Sequence, residues 1–132
     1  LENVFKRHNR LASGVRAAVT AWGLKNCAVD RKWHSDTVTA IRVPNDIDAN
    51  NVIKTAYYKY GVSLGAGLGP LNGNVFRIGH LGWLNETMVL QALGGFEMAM
   101  RDVGIRFLPG CGVGAAIEKY TDTKAPMELA AE

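Results

Sequence analysis

The chain has 132 residues, 48% of them hydrophobic and 20% charged, with a formal net charge of +3. That profile gives one globular domain, long enough to bury a core without disulfides or a metal, and excludes a disordered segment. Its lysines and arginines are spread along the chain, so no electrostatic footprint for nucleic acid forms. No apolar run approaches the ~20 residues of a membrane span, and no signal-peptide pattern opens the sequence. Cys27 and Cys111 lack CxxC spacing, and His8, His34 and His80 do not cluster. Neither a disulfide framework nor a metal site is expected, and a reducing, cytoplasmic compartment is the natural setting.

In chain order, Val4, His8, Leu11, Val15, Ala18, Val19 and Trp22 recur at helical spacing, which predicts an amphipathic helix over residues 2–23. Residues 26–35 read as irregular, with Trp33 as a packing anchor. Residues 37–43 are rich in β-branched side chains and stop at Pro44, a strand signature. Asp48 is placed to cap a helix carrying Val52, Ile53, Ala56, Tyr57 and Tyr60, closed by Gly61. Residues 62–64 read as a short strand, 65–73 as a glycine-rich loop and 74–78 as a second strand pairing antiparallel with the first. Asn85 is placed to cap a helix with Met88, Val89, Ala92, Leu93, Phe96, Ala99, Met100 and Val103 on its expected buried stripe, ending at Gly104. Residues 105–108 read as a possible sheet edge, and 120–132 as a polar, frayed tail. The sum is an α+β domain: a small antiparallel sheet of three to four strands with helices packed on one face. Its expected divisions are a leading helix (1–25), the domain proper (26–119) and a tail (120–132).

The most informative segment is Arg77-Ile78-Gly79-His80-Leu81-Gly82-Trp83. It sets one arginine at a strand end, with glycines on both sides of a histidine that let a ligand approach the backbone. The planar guanidinium fork binds a carboxylate through two parallel charge-assisted hydrogen bonds, so Arg77 is a candidate anchor for a small carboxylic acid. Gly79, His80 and Trp83 are its candidate neighbours. His80 has no second ligand at metal spacing, and a lone histidine is more often a satisfied structural residue. The glycine-rich loop is not a dinucleotide cradle: counted from Gly65 the last glycine of GxGxxG falls on Pro70, and from Gly67 on Asn72. It also joins strand to strand, with no helix N-terminus to meet a phosphate. Cys111, in Pro109-Gly110-Cys111-Gly112, has nothing nearby to lower its pKa and reads as a bystander thiol.

Residues 60–116 resemble the C-terminal part of the class V pyridoxal-phosphate aminotransferases, nearest to the serine–glyoxylate and alanine–glyoxylate group. Tyr60-Gly61-Val62-Ser63-Leu64-Gly65, Gly73-Asn74-Val75-Phe76-Arg77-Ile78-Gly79-His80-Leu81-Gly82, Leu84-Asn85-Glu86 and Pro109-Gly110-Cys111-Gly112 carry the likeness. Leu1-Glu2-Asn3-Val4-Phe5 and residues 33–44 extend it over nearly the whole chain. The resemblance implies that the arginine matching Arg77 binds the substrate α-carboxylate. It implies a homodimeric parent enzyme that moves an amino group from serine or alanine to glyoxylate or another 2-oxo acid.

That chemistry needs a cofactor-anchoring lysine and a phosphate cradle, which in this family come from a large domain expected to precede Leu1. The resemblance therefore implies that this chain contributes no catalytic and no cofactor-binding residue, and alone is inactive. Trp83 stands where relatives usually have a small or polar residue, which bears on substrate preference. The alternative from a different class is an autonomous α+β module that binds a small ligand or a partner without catalysis. A domain cut from a longer protein is also expected to leave apolar surface along its first helix and to associate.

Overall fold

A computed structural model of the chain describes residues 1–122. Helix α1 (Glu2–Ala21) buries Leu11, Val15, Ala18 and Val19 on one stripe, while Leu1 before it and Val4 and Phe5 in its first turn are exposed. A four-stranded antiparallel sheet follows in the order β1-β2-β4-β3, made of β1 (Lys25–Asn26), β2 (Val38–Arg42), β3 (Gly65–Ala66) and β4 (Val75–Gly79). Between the strands lie α2 (Ala49–Tyr60) and, after β4, α3 (Glu86–Asp102) and α4 (Cys111–Asp122).

The caps are local chemistry. Asp48 accepts from the Asn50 N–H at 2.9 Å and Asn85 from the Met88 N–H at 2.9 Å, each satisfying a donor that a helix start leaves free. Gly61 closes α2 in the left-handed conformation, with φ of 68°. In the sheet, side chains alternate between faces. Ile41 and Phe76 are paired and fully buried, and with Ile78 they join the core formed by α1, α2 and α3. The intervening pair, Ala40 and Arg77, belongs to the opposite face, and Gly65 of β3 stands beside Arg77.

Four expectations need correction. Residues 62–64 are not a strand: Val62 and Leu64 pack against the core, and β3 is supplied by the glycine-rich segment itself. The chain's shortest side chains sit there because Arg77 lies across the position. Residues 105–108 form no sheet edge; Ile105 is buried and the Phe107 ring packs 6.2 Å from that of Trp22. Trp33 is 70% exposed, so it does not anchor packing. Residues 111–122 form α4, an unpredicted helix whose Tyr120 is buried. The expected tail therefore does not begin at 120; its remainder, 123–132, lies outside the described residues.

The physical reason α4 escaped sequence reading is its weak intrinsic signal, with Gly112 and Gly114 in its first turns. Tertiary structure supplies what propensity does not. The buried Glu97 carboxylate, on α3, accepts from the N–H groups of Gly110 (2.6 Å), Gly112 (2.9 Å) and Val113 (3.2 Å) at the start of α4, and from Trp22 Nε1 (2.9 Å). An anion at a helix N-terminus is favoured by the exposed N–H groups and by the helix dipole. Gly112 is required by contact: a Cβ there would lie 2.2 Å from Trp22 Nε1. At the other end the Tyr120 hydroxyl donates to the Leu11 carbonyl at 2.8 Å, and Arg10 donates to the Tyr120 carbonyl. These bonds bind α4 to α1.

Candidate carboxylate site

Arg77 occupies the middle of β4, flanked by Ala40 on β2 and Gly65 on β3. Its Nε donates to the Ala66 carbonyl at 2.8 Å, which fixes the guanidinium plane across β3. A Cβ on Gly65 would stand 3.2 Å from Nε and 3.3 Å from Cζ, so glycine leaves the side chain the space it uses. Arg77 is half-buried, and among the described residues its two Nη groups have no hydrogen-bond partner. A guanidinium held by Nε with both Nη groups free is set to meet two carboxylate oxygens end-on.

Arg77 lines a cleft of about 170 Å³ on the sheet face opposite the core, together with Arg16, Trp33, His34, Ser35 and Ala40. Arg16 reaches it from α1; Trp33 belongs to a short 3-10 turn, Arg31–Trp33, capped by Asp30. Arg16 donates to the Ser35 carbonyl at 3.2 Å and stands 4.0 Å from Asp36. Burial pushes the Arg16 pKa down, with Asp36 opposing the shift and Arg31 adding to it.

The other candidate neighbours do not share the cleft. The His80 ring is buried, with Nε2 bonded to Thr39 Oγ1 (2.9 Å) and Nδ1 to the Asp36 carbonyl (2.9 Å). Because the carbonyl can only accept, Nδ1 carries the proton and Nε2 accepts from the Thr39 hydroxyl. Burial depresses the His80 pKa, opposed by the hydrogen bond that its ring donates to the Asp36 carbonyl. Gly79 and His80 line a different cavity of about 120 Å³, on the core side with Leu84 and Met88. Trp83 is 89% exposed on the loop after β4. That loop is held to α1 at Gly82, whose N–H donates to His8 Nε2 (3.1 Å) and whose carbonyl accepts from Arg7 (3.1 Å).

Sequence reasoning missed Arg16, Trp33, His34 and Ser35 as parts of one cleft. The available signal was Arg16 itself, a cation beside the apolar stripe of α1; its distance in sequence from Arg77 hid the rest. Among the described residues no group of three or more His, Cys, Asp or Glu could hold a metal, and no helix is long and apolar enough to cross a membrane. No lysine lines the cleft, so its residues fit an anion and do not fit pyridoxal phosphate as a covalent anchor.

An open antiparallel sheet with helices on one face and an arginine on the other defines an α+β domain. No family model matches the sequence. Individual proteins do: the chain is 59% identical to the serine–glyoxylate aminotransferase of Hyphomicrobium methylovorum and 54% identical to the L-aspartate–glyoxylate aminotransferase of Paracoccus denitrificans. These matches cover 92% and 95% of this chain but 30% and 32% of the relatives. The pyridoxamine–pyruvate aminotransferase of Mesorhizobium loti superposes with a TM-score of 0.86 at 34% identity, covering 92% of this chain and 31% of that structure. The chain thus spans about 30% of the length of the relatives it matches, and over that span it belongs to the class V aminotransferases as a small C-terminal domain of their serine–glyoxylate group.

Proposed function

We propose that the chain is the carboxylate-recognising part of a pyridoxal-phosphate-dependent aminotransferase that moves an amino group from serine or alanine to glyoxylate or another 2-oxo acid. The observation that carries this is the guanidinium of Arg77, fixed through Nε to Ala66 with both Nη groups left for a ligand. The identity to two glyoxylate aminotransferases supports the reaction class.

Within that reading Arg77 orients rather than transforms. Two parallel bonds to the α-carboxylate fix the position of the substrate Cα, and holding a reactant in one geometry lowers the entropic part of the barrier. The cofactor supplies the electron-accepting chemistry when bound. Its anchoring lysine comes from the remainder of the enzyme, which is a homodimer in this reading, and the isolated chain is inactive.

The test is kinetic. In the full-length protein with its cofactor, Arg77→Gln lowers kcat/KM for the amino donor roughly 100-fold, the loss of two charge-assisted hydrogen bonds at about 1.5 kcal/mol each. An unchanged kcat/KM would remove Arg77 from the site. Saturable binding of serine or glyoxylate by the isolated chain, abolished in Arg77→Ala, would instead favour an autonomous binding module.

A further inference from the structure

We infer that Gly67 is a positioning residue for the Arg77 guanidinium: its lack of a side chain seats the Ala66 carbonyl where Arg77 Nε meets it. The inference rests on the reading of Arg77 as a carboxylate anchor and names what aims it.

The chain of contacts is short. Arg77 Nε donates to the Ala66 carbonyl at 2.8 Å, so the direction of the Nη pair follows the position of that oxygen. Ala66 ends β3, a strand of two residues at the edge of the sheet, paired with β4 alone. So short an edge strand has few bonds of its own to resist displacement. The next residue fixes its end. The Gly67 N–H donates to the Val75 carbonyl at 3.1 Å, and Gly67 is buried. A Cβ on Gly67 would lie 2.3 Å from the Leu71 carbonyl oxygen, 2.7 Å from its carbon and 3.1 Å from the Val75 oxygen. All three are backbone atoms, so no side-chain rotation relieves the clash, and only glycine allows the approach.

Which side gives way decides the effect. Leu71 closes the 3-10 turn Gly69–Leu71, and its carbonyl also accepts from the Asn74 N–H at 3.0 Å. Just beyond, the Gly73 carbonyl accepts from the Ala49 N–H at 2.9 Å, and Asn72 Oδ1 accepts from Asn50 Nδ2 at 2.9 Å. The turn is thus tied to the start of α2, a helix of the core, whereas β3 is held only at the sheet edge. Ordinary contact begins at 3.4 Å, so relief takes about 1 Å of backbone movement, most of it by β3, and a misplacement of that size costs a reaction up to about 100-fold. The Ala66 carbonyl then leaves Nε, and the fork no longer points at the carboxylate. Gly67 touches no ligand; it acts through Ala66 and Arg77.

A double-mutant cycle in donor kinetics of the full-length, cofactor-loaded protein tests this, with serine as donor. Gly67→Ala is expected to lower kcat/KM by about 10- to 100-fold, the upper bound being the loss on removing the fork itself. In the Arg77→Gln background the same substitution costs less than about threefold more, because the group it positions is gone. Asn72→Ala removes an exposed hydrogen bond that ties the turn to α2, and is expected to cost about threefold in the parent and nothing in Arg77→Gln. A purely structural role would give losses that add. Additive losses, or an unchanged kcat/KM in Gly67→Ala, overturn the role of Gly67 and leave that of Arg77 standing. Where Gly67→Ala does not fold, an unchanged kcat/KM in Asn72→Ala overturns it equally. An unchanged kcat/KM in Arg77→Gln itself overturns the Arg77 reading and this inference with it.

Discussion

At the scale of single residues, the Arg77 site depends on what its neighbour lacks. Gly65 carries no Cβ, and adding one puts a carbon within 3.2–3.3 Å of the Arg77 side chain, tighter than ordinary van der Waals contact. The side chain must then shift by a few tenths of an ångström, which disturbs the bond from Nε to the Ala66 carbonyl. Gly65→Ala is expected to weaken carboxylate binding severalfold while changing the melting temperature by no more than a few degrees, read by calorimetry and thermal melting of the same protein. A strongly lowered melting temperature with unchanged affinity contradicts that account. The place of Arg77 on a strand was legible in the sequence, whereas its reading as a carboxylate anchor came from the family resemblance, because an arginine in a strand is more often simply exposed or salt-bridged. Arg16 was not legible. Its place in the cleft depends on α1 lying beside the 3-10 turn Arg31–Trp33, a tertiary fact that helical periodicity cannot express.

At the scale of elements, α4 shows where local signals end. Three helices announce themselves by apolar spacing and by caps at Asp48, Gly61 and Asn85, and their observed bounds fall within a residue or two of the expected ones. Helix α4 has glycines in its opening turns and is held by a carboxylate from another helix. Glu97→Ala strands three backbone donors and Trp22 Nε1 without an acceptor, and is expected to cost about 3–5 kcal/mol in urea unfolding. Glu97→Gln, which keeps a side-chain acceptor of the same shape, costs less. Equal stability of Glu97→Ala and the parent sequence contradicts the assignment of this carboxylate as the clasp of α4. Strand β3 escaped for a related reason: a glycine-alanine pair has no β-propensity, and it pairs because β4 and its arginine require a partner with no bulk.

At the scale of the whole molecule, two buried or half-buried groups set the response to acid. His80 has its pKa depressed below the usual 6.5, chiefly by burial. The unfolded chain therefore takes up a proton before the native state does, so the stabilisation is complete above pH ~6.5 and is lost as pH falls toward the native value. Glu86 also titrates below its usual 4.5. Burial opposes its ionisation, but the hydrogen bond and charge of Arg10, at 2.8 Å, outweigh it. Its contribution is present above pH ~4.5 and disappears as pH falls through the native value. Both effects have the same sign, so the urea midpoint is expected to fall in two stages, beginning below pH 6.5 and again below pH 4.5. His80→Gln removes the first stage, at the cost of a lower starting stability. A midpoint that rises on acidification from pH 7 to 5 contradicts this.

The central claim remains the meeting of a substrate carboxylate with Arg77, and the most direct measurement is a crystal structure of the full-length enzyme with an amino-acid donor bound. The predicted result is both carboxylate oxygens about 2.7–2.9 Å from the Arg77 Nη atoms, with Nε still bonded to Ala66. A carboxylate held elsewhere, with Arg77 turned away or solvated, contradicts it.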